Sequence, residues 1–140
     1  MRARVRLAWG DGYWVPAAGR GADGLLAPTR YADDDPRSSR RFVREYLRAY
    51  GARPDRLAAG GYDAMNVLAA AIERAGVAAP RPVREALTRA EYVGTQDRTH
   101  RFDPSNQLLL DTYVVEARRG TRSLVARLTW DGELVQDHPP

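Results

Sequence analysis

The stretch Gly60-Gly61-Tyr62-Asp63-Ala64-Met65-Asn66-Val67-Leu68-Ala69-Ala70-Ala71-Ile72-Glu73-Arg74-Ala75-Gly76 sets the architecture of this chain. Two glycines free the backbone ahead of Tyr62, and Asp63 is placed to cap a helix beginning there. Ala64, Met65, Leu68, Ala69, Ile72 and Ala75 then return at helical spacing, which predicts a helix over 62–75. Gly76 supplies a left-handed stop. Asn66 is the one clearly polar residue between Ala64 and Ile72, so this helix is expected to be buried over most of its circumference.

Ahead of that helix, the chain reads as its feed. Met1 to Trp9 alternates apolar with charged residues, a half-exposed strand or a ragged start within an irregular lead-in over 1–22. Gly10-Asp11-Gly12 marks a turn from which Tyr13-Trp14-Val15 is placed to pair back. Gly19-Arg20-Gly21 lacks the lysine and Ser/Thr of a phosphate-cradling loop and reads as a mobile connector. A short buried strand comes next over 24–28, ended by Pro28, with Tyr31 where the chain leaves the sheet. Asp33-Asp34-Asp35-Pro36 lacks the alternating spacing and closing glutamate of a calcium loop, and reads as a solvated loop into a helix. That helix, over 38–50, puts Phe42, Val43, Tyr46, Leu47 and Tyr50 on one face with arginines opposite, and Gly51 stops it.

Downstream, Pro80 and Pro82 open a third helix over 81–90, in which Val83, Ala86, Leu87 and Ala90 repeat at i, i+3, i+4 and i+7. Beyond Tyr92 the period changes. Thr99 to Phe102 is extended, Asp103-Pro104-Ser105-Asn106 is a turn, and strands over 109–118 and 123–130 join through Gly120. In the second of these, Leu124, Ala126, Leu128 and Trp130 alternate with Val125, Arg127 and Thr129, which predicts a hairpin with one covered face. The remainder, 131–140, reads as a loose tail.

Composition bounds what such a chain can be. Its 140 residues suffice for one core, and 44% apolar with 29% charged residues is a globular balance. No apolar run approaches the roughly 20 residues that span a bilayer, and no signal-type apolar segment comes after Met1 to Arg6. There is no cysteine, so disulfides and thiolate chemistry are excluded. Every one of the 22 basic residues is arginine, and the net charge of +4 is uneven: residues 1–56 hold 12 arginines against 7 acids. The arginines are scattered and interrupted by acids, which favours a solvated face over a nucleic-acid surface.

The order of strand, acidic-proline loop, amphipathic helix, Gly-Tyr-Asp-Ala helix, proline-opened helix and Phe-Asp-Pro hairpin resembles one known family. Gly24 to Tyr31, Asp33 to Pro36, Phe42 to Tyr50, Gly61 to Gly76, Val83 to Leu87, and Gly94 through Phe102-Asp103-Pro104 to Gln107 are similar to the C-terminal part of the type I periplasmic solute-binding proteins. These are the branched-chain amino acid and amide receptors of ABC importers, like the Leu/Ile/Val-binding proteins. The resemblance implies an α/β fold: the C-terminal third of a two-lobe receptor, with about three helices, a β-hairpin and one or two further strands. Residues 1–140 are then expected to form a single incomplete domain, without the family's first sheet or secretion signal. Asn106 stands where the family has a turn glycine, and asparagine tolerates positive φ.

By that resemblance the function is extracytoplasmic solute binding for an ABC transporter, by hinge closure without chemistry. The location implied is periplasmic or extracellular, membrane-anchored, with a permease as partner. The expected ligand is a small polar molecule, an amino acid or an amide, held once the other lobe is present. The start of the Gly-Tyr-Asp-Ala helix faces the cleft in that family, which nominates Tyr62 first, then Asp63 and Ala59, with Tyr31 for the opposite wall. No cofactor, metal or catalytic residue is expected. His100 and His138 are far apart and no nucleophile elbow is present, so the reading is not an enzyme. The alternative is a small standalone α+β module binding protein or nucleic acid through Arg40, Arg41, Arg44 and Arg48. Without a first lobe, the apolar face of helix 62–75 needs a substitute partner, and self-association supplies one.

Overall fold

Two strand residues, Arg6–Leu7 (β1), precede a four-residue helix, Val15–Ala18 (α1), and a turn of 3-10 helix, Gly19–Ala22. Strand Leu25–Thr29 (β2) leads to helices Arg40–Tyr50 (α2), Arg56–Ala75 (α3) and Pro80–Leu87 (α4). Strands Tyr92–Val93 (β3), Thr99–Phe102 (β4), Leu108–Leu109 (β5), Thr112–Arg118 (β6), Thr121–Leu128 (β7) and Leu134–Val135 (β8) complete the order. This computed structural model describes residues 6–8, 14–32, 34–35, 40–89, 91–96 and 99–135. The chain divides into two units, residues 1–35 with 110–140, and residues 36–109.

In the first unit a sheet runs β1-β2-β6-β7-β8, parallel between β1 and β2 and antiparallel elsewhere. Every second residue of β6, namely Tyr113, Val115 and Ala117, is buried, and their β2 partners Thr29 and Ala27 share the same face. Val15 and Ala22, from α1 and the 3-10 turn, cover Ala117 with Trp14 and Leu25. The connector expected at Gly19-Arg20-Gly21 is therefore an ordered turn that contributes to the core. Residues 1–22, expected as an irregular lead-in, carry β1 and α1 as well. Trp14 and Val15 do not pair back as a strand, because Pro16 pre-sets helical φ at the start of α1; Tyr13 lies outside the described residues. The hairpin turn falls where Gly120 predicts, and Arg119 with φ 52° and Gly120 with φ 77° give it two left-handed residues between Arg118 and Thr121.

One β-bulge reverses the expected sidedness of β7. Val115 faces Leu124 while Val114 faces Ala126, so Val125 is the extra residue. A strand alternates with period 2, and a one-residue insertion moves everything beyond it to the other face. Leu124 is buried as expected, but beyond the bulge Arg127 points inward while Leu128 and Trp130 are exposed. Within the expected tail, Leu134–Val135 pairs with β7 as β8, and 136–140 lie outside the described residues.

In the second unit α2 matches its expected end at Gly51, whose φ is 68°; residues 38–39 lie outside the described residues. The central helix begins six residues earlier than the sequence suggests. Asp55, not Asp63, is its N-cap, accepting from the Ala58 N–H at 2.8 Å. That cap lets the helix run through Gly60 and Gly61, although each glycine costs about 1 kcal/mol against alanine there. Gly76 closes the helix in the left-handed conformation, its N–H donating to the Ile72 and Glu73 carbonyls. The expectation of a helix buried all round is overturned: only Ala59 and Ala71 are buried. Ala71 meets Val83 and Ala86 of α4, with Ile72, Ala75 and Leu87 around them.

Leu109, expected to open the hairpin strand, belongs to a second small sheet, β3-β4-β5, by pairing with Arg101. The chain turns between β4 and β5 at Asp103, whose carboxylate accepts from the Ser105 and Gln107 N–H groups at 2.8 Å each. Asn106 takes φ 61°, the left-handed position that asparagine tolerates.

Candidate functional site

The candidate residues fall in both units, and each group is built from its own unit. Starting α3 at Arg56 places Ala59, Tyr62 and Asp63 in its early turns, within one side of the helix. Ala59 is buried. The Tyr62 ring lies against Phe42 with centroids 4.8 Å apart and planes tilted by 43°, and Phe42 also touches Tyr46 at 5.8 Å. Phe42 is buried whereas Tyr62 is 42% exposed, so the tyrosine packs against Phe42 and keeps part of its surface in solvent.

Asp63 is committed to the structure. Its two carboxylate oxygens accept from the Thr95 N–H at 2.9 Å and the Thr95 hydroxyl at 3.0 Å. The Tyr92 hydroxyl also donates to it. These bonds fasten α3 to a segment in which Gly94, Thr95 and Gln96 are all buried. Burial pushes the Tyr92 hydroxyl up to about 12, and the Asp63 charge, neighbouring Tyr62 and the hydrogen bond to Asp63 add to it.

Tyr92 ionises near 10 when unfolded and near 12 when folded. Its contribution to stability is complete below pH 10 and is lost as pH rises through 12. Ultraviolet titration of tyrosinate should therefore give a wild-type minus Tyr92→Phe difference centred near pH 12. A difference centred near 10 would contradict the burial and the Asp63 contact.

In the first unit Tyr31 lies just beyond β2 and is buried. Its N–H donates to the Thr29 hydroxyl at 3.3 Å, and that hydroxyl donates to the Tyr31 carbonyl at 3.1 Å. Thr29 pairs with Tyr113, and Tyr113 with Arg127, so one polar row crosses three strands on the covered face. Arg127 donates to Asp111 at 2.7 Å, with side chains 4% and 5% exposed. The other Asp111 oxygen accepts from the Trp130 N–H at 3.2 Å. Nearby, Asp34 accepts from the Leu124 N–H at 2.9 Å.

Sequence reasoning named neither Thr95 nor Asp111. The signals were present: two polar residues directly after Gly94 in a short strand's exit, and an aspartate just ahead of a strand whose partner sets Arg127 between Ala126 and Leu128. In the second unit Tyr62 keeps part of its ring exposed beside Phe42, while the Asp63 carboxylate there, and Asp111 in the first unit, are already bonded to protein donors. Among the described residues no three His, Cys, Asp or Glu side chains gather where a metal would sit, and no helix is long and apolar enough to cross a membrane.

Comparison with known proteins adds the family. The family described as periplasmic binding protein matches residues 2–122. A solute-binding protein of an ABC transporter from R. palustris, solved with benzoate, is similar with TM-score 0.74 and 22% identity over 92% of this chain and 37% of its own. A leucine binding protein, LivK, from Thermotoga maritima MSB8 has TM-score 0.74 and 29% identity over 89% of this chain and 37% of its own. A periplasmic ligand-binding protein of a branched-chain amino acid ABC transporter from Burkholderia xenovorans LB400 has TM-score 0.74 and 24% identity over 84% and 34%. No curated protein sequence matches. The chain thus spans little more than a third of the length of these structures.

Proposed function

The chain belongs to the periplasmic binding protein family, and on that ground we propose that it forms the C-terminal part of an extracytoplasmic solute-binding component of an ABC importer. The observation that carries this reading is the family match over residues 2–122. The fold agrees, since nine-tenths of the chain overlaps solved solute-binding proteins. Its work is capture of a small ligand without bond-making, at the outer face of the membrane, for delivery to a permease.

The ligand class is a small amino acid, with branched-chain amino acids first and related amides next. Leucine and benzoate, named for two similar structures, each join a carboxylate to an apolar body. Tyr62 is the contact residue: its ring is held by Phe42 yet half-open, so it offers an apolar wall and a hydroxyl together. Ala59 and Asp63 act behind it, the first by leaving little bulk and the second by fixing α3 on Thr95.

The test joins this chain to the remaining part of the Thermotoga leucine binding protein and titrates leucine, valine, an aliphatic amide and benzoate by calorimetry. Saturable binding of an amino acid is expected. Tyr62→Phe keeps the contact with Phe42 and should weaken that binding roughly fivefold, the loss of one hydrogen bond of about 1 kcal/mol. A folded chimera that binds none of the four would reject the ligand class. Unchanged affinity in Tyr62→Phe would reject the contact.

A further inference from the structure

We propose that α3 has two alternative beginnings, one capped by Asp55 and one by Asp63, and that the Asp63 carboxylate is the switch between them. The proposal is independent of the ligand reading. In the structure the helix is long: Asp55 accepts from the Ala58 N–H at 2.8 Å, and the Ala59 N–H donates to the Asp55 carbonyl at 3.0 Å. Between that cap and Tyr62, Ala59 is the one buried residue. Gly60 and Gly61 then interrupt the helix with the two residues that gain least from helical backbone. A Cβ at either position would meet nothing within 4 Å, so alanine fits both, and the effect of glycine there is on the backbone itself. The first turns of α3 are therefore its weakest part.

Asp63 stands to the Asn66 N–H as Asp55 stands to that of Ala58, three residues on, which is the spacing of an N-cap. In the long helix its oxygens are taken by the Thr95 N–H at 2.9 Å, the Thr95 hydroxyl at 3.0 Å and the Tyr92 hydroxyl. Asn66 is already arranged for the exchange. Its side-chain amide donates to the Tyr62 carbonyl at 2.8 Å, which is the acceptor that the Asn66 N–H leaves on turning to Asp63. A short helix beginning at Ala64 keeps Ala71, Ile72 and Ala75 against Val83, Ala86 and Leu87 of α4, so the change is confined to the residues ahead of it. Tyr62 stands at the joint. With Asp63 on Thr95, Tyr62 is helical and lies on Phe42; with Asp63 as cap, it leaves the helix. A displacement of the 92–96 segment from α3 thus shortens the helix and releases Tyr62, because the same carboxylate serves one state or the other.

Residue-resolved hydrogen exchange of the 140-residue chain tests this. The amides of residues 59–62 open with the short helix and those of 67–72 do not, so the first group is expected to exchange at least about tenfold faster than the second. Thr95→Val removes one bond that holds Asp63 in the long state, and should speed exchange at 59–62 roughly fivefold. Gly60→Ala favours the long helix and should slow it by about the same factor. Both substitutions are small, and the two together should bring 59–62 back near the wild-type rate. Equal exchange at 59–62 and 67–72 in the wild type overturns the proposal, since α3 then opens as one piece. Exchange at 59–62 that Thr95→Val leaves unchanged also overturns it: the first turns then fray alone while Asp63 stays on Thr95.

Discussion

Asp111→Ala should lower the unfolding free energy by about 3–5 kcal/mol, because it leaves the Arg127 charge buried without its carboxylate. Both side chains are within 5% of complete burial and 2.7 Å apart. Asp111 also accepts from the Trp130 N–H, so the variant loses a backbone anchor at the end of β7. The measurement is urea unfolding followed by tryptophan fluorescence. All three tryptophans, at positions 9, 14 and 130, belong to the unit that contains the pair. A matched double variant, Asp111→Leu with Arg127→Met, removes both charges and should recover most of the loss, since an apolar pair needs no compensation. If single and double variants lose the same amount, the cost is one of packing and the charge argument fails.

Asp63→Leu should cost about 3 kcal/mol, for a different reason. The residue is not a cap, so helix initiation at Asp55 is untouched. What is lost is the acceptor for the Thr95 N–H and hydroxyl, both belonging to a residue that is 2% exposed, and for the Tyr92 hydroxyl. Buried donors left without a partner carry their full desolvation penalty. Circular dichroism at 222 nm reports on this unit, which contains α2, α3 and α4. Thr95→Val removes only the hydroxyl bond and should cost about 1 kcal/mol. A wild-type midpoint for Asp63→Leu would show that the 92–96 segment is held by other contacts.

The two effects explain why the candidate residues divide as they do. Tyr62 and Asp63 are adjacent, yet a helix turns about 100° per residue, so adjacent side chains diverge. One reaches Phe42 and stays half-open; the other reaches Thr95 and is occupied. A screen that treated the Gly-Tyr-Asp-Ala run as one ligand motif would miss that division of labour.

Much of the fold is set by neighbours along the chain. The amphipathic spacing of α2, the left-handed stops at Gly51 and Gly76, the proline-opened α4, the Asp103 to Asn106 turn and the Arg119-Gly120 hairpin all depend on residues a few positions apart. Those interactions are local, so they are written in local sequence. The family was legible for the same reason, as an ordered series of such local signals.

Partners distant in sequence set the rest. Whether Asp55 or Asp63 begins α3 turned on Thr95, 32 residues away, competing for the Asp63 carboxylate. Arg127 was placed outside by alternation and lies inside, because a bulge at Val125 shifts the register against β6 and Asp111 waits on the covered face. An apolar run says that a helix must be covered, not by what. Alanine, leucine and methionine carry the same periodicity against α4, another copy or a missing lobe. Periodicity therefore identifies the apolar face of α3, whereas it takes the packed chain to show that α4 covers its end and leaves Leu57, Met65 and Leu68 open.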